Sequence, residues 1–184
     1  ALLYPSLGSV TTKELPVRDD LPGYVAIPAT EWNSGYMGDA FAPFNTTDVP
    51  QPGKPFGVRG ISLAAGLTLD KVAQRNRLLS RLNRRFADGD ANSQLLEALD
   101  TFSQQANHMV TSAHSQSAFD VSRESESIQK RFAADDFSQS LLLAARLVQH
   151  EVPFVTVTNQ GWDTHTDNFV GHQRLLGPLD AGVF

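Results

Sequence analysis

The most constraining stretch is Val152-Pro153-Phe154-Val155-Thr156-Val157-Thr158. It is short, rich in β-branched and aromatic residues, and apolar on both faces. That pattern predicts a strand buried between helix layers, as in a parallel sheet. Pro153 falls near its start, where a missing N–H does least harm. Before it, Phe137, Leu141, Ala144, Leu147 and Val148 recur at helical spacing, with Asp136 or Ser138 as the expected cap. After it come a polar loop at 159–168 and a helix expected from about Asn168 to Leu176. Helix, buried strand, polar loop and helix form the repeating unit of an α/β fold with a mostly parallel sheet flanked by helices.

The first third is different in kind. Eight of the ten prolines lie in residues 1–55, and eight of the thirteen glycines lie in residues 1–66. Pro removes a backbone donor and Gly adds backbone freedom, so residues 1–67 read as loops with short extended pieces. Residues 21–28 are the best strand there, and Asp48–Gly60 reads as surface turns. Residues 68–136 read as mainly helical. A first helix runs from Thr68, its expected N-cap, to Phe86; a second region covers 92–119; a short helix covers Glu124–Phe132. The first helix carries Lys71, Arg75, Arg77, Arg81, Arg84 and Arg85, read as a solvated face, with an anion or partner surface as the sharper alternative. Residues 137–184 complete a single α/β domain, or the central fragment of one.

Composition removes whole classes of function. The chain has no cysteine, so disulfides, iron–sulfur clusters, Cys-zinc sites and thiol nucleophiles are excluded. A net charge of −5 argues against nucleic acid as a partner. No apolar run approaches the length of a membrane span. The chain opens on Ala1 without a signal peptide, and the expectation is a piece of a longer protein.

The chemistry concentrates in the loop at 159–168. In open parallel sheets, ligands collect outside the carboxyl ends of the strands, where this loop falls. It holds Asp163, His165 and Asp167 at alternate positions. Alternate side chains of an extended segment point the same way, so the three can converge on one cation. Carboxylate oxygen with imidazole nitrogen suits zinc, manganese or iron. Gly161 lets the backbone turn, and Trp162 is a candidate wall. The plainer alternative is structural: Thr166 or Asp167 caps the next helix, and Asp163 holds a turn. His108 and His114 read as surface or packing histidines, and His172 as a solvent-facing helix residue.

Several segments together carry a family resemblance. They are Pro5-Ser6-Leu7-Gly8-Ser9, Gly35-Tyr36-Met37-Gly38 with Ala42-Pro43-Phe44, Ser138–Val148 and Gly161-Trp162-Asp163-Thr164-His165. In this order they resemble the DUF1501 group, an uncharacterised bacterial family related to the alkaline phosphatase and sulfatase superfamily. The resemblance implies an alkaline phosphatase-like α/β fold, incomplete here, and metal-dependent hydrolysis of phosphate or sulfate esters. It implies Asp163 and His165 as metal ligands for zinc, manganese, magnesium or calcium. Trp162, Asp167, Asn168 and Tyr36 are its supporting or pocket residues, with the Gly35–Phe44 loop as pocket lining. Superfamily members carry a nucleophile and further ligands that have no counterpart here, so this chain is expected to supply one part of a site. An anionic small-molecule ester is the implied partner, self-association of a truncated sheet is expected, and an exported, periplasmic location follows by resemblance alone. The competing expectation is a non-catalytic binding or structural module on the same fold.

Overall fold

In the computed structural model, residues 3–54, 56–62 and 104–183 are described, together with 66, 68, 70–72, 74, 75, 77–79 and 81. The sheet has three parallel strands, β1 (Tyr24–Ile27), β2 (Phe44–Asn45) and β3 (Phe154–Val157), in the order β2-β1-β3. Tyr24 pairs with Phe154 and Ile27 with Val157, so the two main strands run in step along their whole length. All four residues of β1 are buried. The expectation of a fully buried strand at 152–158 needs correction: β3 is half-buried, because it lies at an edge of the sheet while β1 takes the centre.

The two sides of the sheet follow from strand alternation. Val25 and Ile27 join a core with Leu143, Leu147 and Phe119, and Val155 and Val157 pack against it. Tyr24 and Phe154 point the other way and meet edge to face, with ring centroids 5.3 Å apart. Against that pair lies α1 (Leu7–Glu14), an element absent from the loop reading of residues 1–67. Composition averaged over the segment hides it. Locally, Ser6 caps the helix by accepting from the Ser9 N–H at 3.2 Å. Gly8 lets it approach: a Cβ there would stand 2.6 Å from the Tyr24 ring.

Helices α2 (Ala113–Phe119), α3 (Glu126–Gln129), α4 (Asp136–Gln149) and α5 (Asn168–Val183) follow. Residues 104–111 are helical as well, and Ser112 separates them from α2 by capping it. Helix α4 packs on β3 and α5. Its cap is Asp135 rather than Asp136 or Ser138: extended backbone at Asp135 lets its carboxylate accept from the Ser138 N–H at 2.9 Å and the Ser138 hydroxyl at 2.7 Å. Partial burial works against the Asp135 anion, but these hydrogen bonds outweigh it and hold the carboxyl below its usual range. Helix α5 runs past the expected end at Leu176 and through Pro178. Gly182, beyond the proline, packs against Leu141 of α4, and that tertiary contact overrides the local stop signal.

The first basic helix is described at 70–72, 74, 75, 77–79 and 81, all helical, and Thr68 caps it through the Lys71 N–H. Arg75, Arg77 and Arg81 are exposed, while Arg84, Arg85 and residues 92–103 lie outside the described residues. The turns at Asp48–Gly60 lie mostly at the surface, but Pro50 and Val58 are buried. Among the described residues, no helix is long and apolar enough to cross a membrane.

One buried ion pair binds the helices to each other. Arg146 on α4 is 7% exposed. Its guanidinium meets Glu124 and donates to the Ser117 carbonyl on α2 at 2.9 and 2.7 Å. Removing one member of such a pair strands the other charge, which typically costs about 3–5 kcal/mol. Glu124→Ala is therefore expected to lower the chemical-denaturation midpoint severely, with Glu124→Gln in between. An unchanged midpoint for Glu124→Ala would show that the pair contributes nothing.

Candidate functional site

The loop that carries the candidate residues leaves β3 at a fixed point. The Thr158 N–H donates to the Ile27 carbonyl at 2.9 Å, and its hydroxyl donates to the Ala29 carbonyl at 2.6 Å. Beyond it, Gly161 has φ +92°, a left-handed turn that favours glycine. The chain then runs through Asp163, Thr164 and His165 at the carboxyl end of the strand.

Asp163 and His165 meet. Asp163 Oδ1 stands 2.8 Å from His165 Nδ1, and their side chains are 85% and 82% exposed. Neither group is consumed by the core or by a backbone cap. They open on a shallow depression of about 500 Å³, shared with Thr164, Asp167 and Arg174. Asp167 does not complete a triad with them: among the described residues, no group of three or more His, Asp or Glu side chains is placed to hold a metal. Its backbone is left-handed at φ +50°, and its carbonyl accepts from the Gly171 N–H at 2.9 Å, so it turns the chain into α5. The bend that starts the helix interrupts the extended alternation that a three-way convergence requires.

The other side of the loop is held by α5. Thr164 donates to Asn168 Oδ1 at 2.9 Å and lies 3.3 Å from His172 Nδ1. That same nitrogen reaches the Asn168 carbonyl at 2.9 Å. Trp162 lies over His172, with ring centroids 5.7 Å apart. His172 is thus half-buried against the loop rather than turned to solvent, because its helix face returns toward Asn168 one turn earlier. Asn168 and Trp162 act as supports for the loop.

Tyr36 sits elsewhere, in a short turn at Gly35–Met37 whose backbone is tied to Leu3, and it is exposed. The expectation that the Gly35–Phe44 segment lines the same pocket is not met. Its Asp39–Phe44 part instead lines a separate depression with Thr12, Val17 and Met109. A cavity of about 630 Å³ lies under the turns at 51–62 against Phe119 and Leu142, and no sequence candidate lines it. Two participants escape sequence reasoning, Arg174 and Thr164. Arg174 follows Val170 and Gly171 at i,i+4 and i,i+3 spacing on the face of α5 that lines the depression, which is the available signal for it; Thr164, outside the helix, has none.

A family model described as "Protein of unknown function (DUF1501)" matches residues 1–184. The chain belongs to the DUF1501 family. No curated protein and no solved structure matches it. The donors of this DUF1501 chain define what its site can hold. A carboxylate oxygen and an imidazole nitrogen side by side fit two ligands of a divalent cation, and the usual four to six positions need other donors.

The loop's seat on α5 has a direct test. Gly171 lies in the helix, where Ala is ordinarily better by about 1 kcal/mol. Here an added Cβ would stand 2.7 Å from Thr164 Cγ2. Gly171→Ala is expected to lower the melting temperature instead of raising it. A rise would show that Thr164 is not held there.

Proposed function

We propose that this chain supplies part of a divalent-metal site that hydrolyses phosphate or sulfate esters, on an alkaline phosphatase- or sulfatase-like fold. The observation that carries the reading is the exposed Asp163–His165 pair at the carboxyl end of a parallel strand. Exposed polar groups this close add little to stability, and the loop's bracing by Thr164, Asn168 and His172 supports a ligand-binding reading of them. Asp163 and His165 would hold zinc, manganese, magnesium or calcium from one side. The remaining positions would go to water, to substrate oxygen and to residues beyond this pair. When bound, the cation supplies Lewis-acid polarisation of the ester oxygen.

The chain's own residues then have distinct tasks. Asp163 would hold the cation through a carboxylate oxygen, and His165 would hold it through one nitrogen of its neutral imidazole while the other ring nitrogen keeps its proton. Arg174, on the same depression, offers a guanidinium whose paired N–H groups suit two oxygens of a phosphate or sulfate group. Trp162 and Asn168 keep the loop in register on α5. The proposed partner is an anionic small-molecule ester. An exported, periplasmic location and self-association belong to the same proposal.

The gathering of only two donors among the described residues favours a second reading. In it the fold is a non-catalytic binding or structural module, and the pair is a surface contact. The two are separable by metal uptake. On the first reading the protein takes up zinc or manganese in equilibrium dialysis, more at about pH 8 than at about pH 5, since ligands must lose protons. Asp163→Ala and His165→Ala each reduce uptake at least about tenfold, as expected when one of two protein ligands is lost. Chelator-sensitive turnover of a generic phosphate or sulfate ester would add the catalytic step. Equal uptake by wild type and both variants would leave the second reading standing.

A further inference from the structure

A separate polar cluster lies at the opposite end of the sheet, before β1 and β3 begin. Asp20 precedes β1, His114 stands in the first turn of α2, and His150 ends α4 just before β3. His114 Nε2 and His150 Nδ1 face each other at 3.1 Å. The other nitrogen of His114, Nδ1, is buried, lies 3.3 Å from Asp20 Oδ2 and makes no aligned hydrogen bond. Asp20 is fixed from three directions. Ser112 donates to its Oδ2 at 2.8 Å, Arg18 Nε donates to its Oδ1 at 2.9 Å, and the Ser115 hydroxyl meets its backbone carbonyl. Arg18 also reaches Glu151, in the turn that leads into β3, at 3.2 Å.

We propose that Asp20, His114 and His150 form an acid-released clasp that ties the leading ends of β1 and β3 together through α2. The geometry allows one added proton across the two facing nitrogens and not two. With one, an N–H donates to a lone pair, whichever ring carries the charge. With both rings charged, N–H faces N–H across 3.1 Å and the contact becomes repulsive. Asp20 faces His114 rather than His150 and is already joined to Arg18 and Ser112. Arg146 and Arg18 act on His150 from α4 and from the loop before β1. Glu124 opposes them but is already joined to Arg146, and Glu151 is already joined to Arg18.

Burial, followed by the Arg146 and His114 charges, lowers the His150 pKa from its ordinary 6.5. The unfolded chain therefore binds more protons than the folded one once pH falls below about 6.5, and stability declines from there downward. Asp20 answers in a different window. Burial disfavours its anion, but hydrogen bonds from Arg18 and Ser112 and the Arg18 charge prevail and lower its pKa. Its contribution is present above about pH 4 and lost only below that.

Thermal melts of the full chain between about pH 7.5 and pH 5.5 test the clasp, because this range spans the imidazole titration and avoids the carboxylates. The wild-type melting temperature is expected to fall across this range. His150→Gln, which keeps a polar side chain without a titration, is expected to remove more than half of that fall, while His108→Gln leaves it intact. Imidazole proton titration by NMR on the unmutated chain covers the case in which His150→Gln does not fold. His150 should then take up its proton below the ordinary imidazole range. An unchanged pH slope in His150→Gln, or an ordinary titration of His150, would overturn the proposal.

Discussion

The in-step pairing of β1 with β3 is the constraint on which the rest depends. Four consecutive residue pairs, Tyr24 with Phe154 through Ile27 with Val157, set two chain segments 130 residues apart into one register. A slip of one residue would send Val25 and Ile27 out of the core and Tyr24 into it. The register is held at both ends. At the carboxyl end Thr158 is hydrogen-bonded to Ile27 and Ala29. At the leading end, Asp20, His114 and His150 gather around the same two strands. The loop with Asp163 and His165, which continues directly from β3, inherits its position from this pairing.

The two polar centres of the molecule are built in opposite ways. Arg146 and Glu124 are withdrawn from water and matched to each other, and the two facing histidines are partly withdrawn beside them, so this centre acts on stability and on its response to pH. At Asp163 and His165 the charges stay in water, and the order of the loop comes from its bracing by Thr164, Asn168, His172 and Trp162. A rigid seat beneath exposed donors is the arrangement expected of a ligand-binding loop on a scaffold.

Much of this is legible in the residues because it is local. The β-branched run at 152–158 announces β3, and alternate spacing sets Asp163 and His165 side by side. The Gly-Trp-Asp-Thr-His segment also points to the family. Departures arise where a short-range average or a single-period rule is stretched. Proline content conceals α1, the cap of α4 is Asp135 rather than Asp136 or Ser138, and the alternation stops short of Asp167. The other features are pairings between distant positions. Arg146 meets Glu124 across 22 residues, His150 meets His114 across 36, and Ser112 meets Asp20 across 92. No periodicity records such contacts, and they become visible only when the sheet brings its segments together.

The most direct test of the central claim, that Asp163 and His165 are presented as metal ligands, is paramagnetic broadening of the five histidine side chains by manganese. The account predicts that substoichiometric Mn²⁺ broadens the His165 imidazole resonances first and His172, its neighbour across the loop, next, leaving His108, His114 and His150 sharp. Uniform broadening, or none at His165, would contradict it.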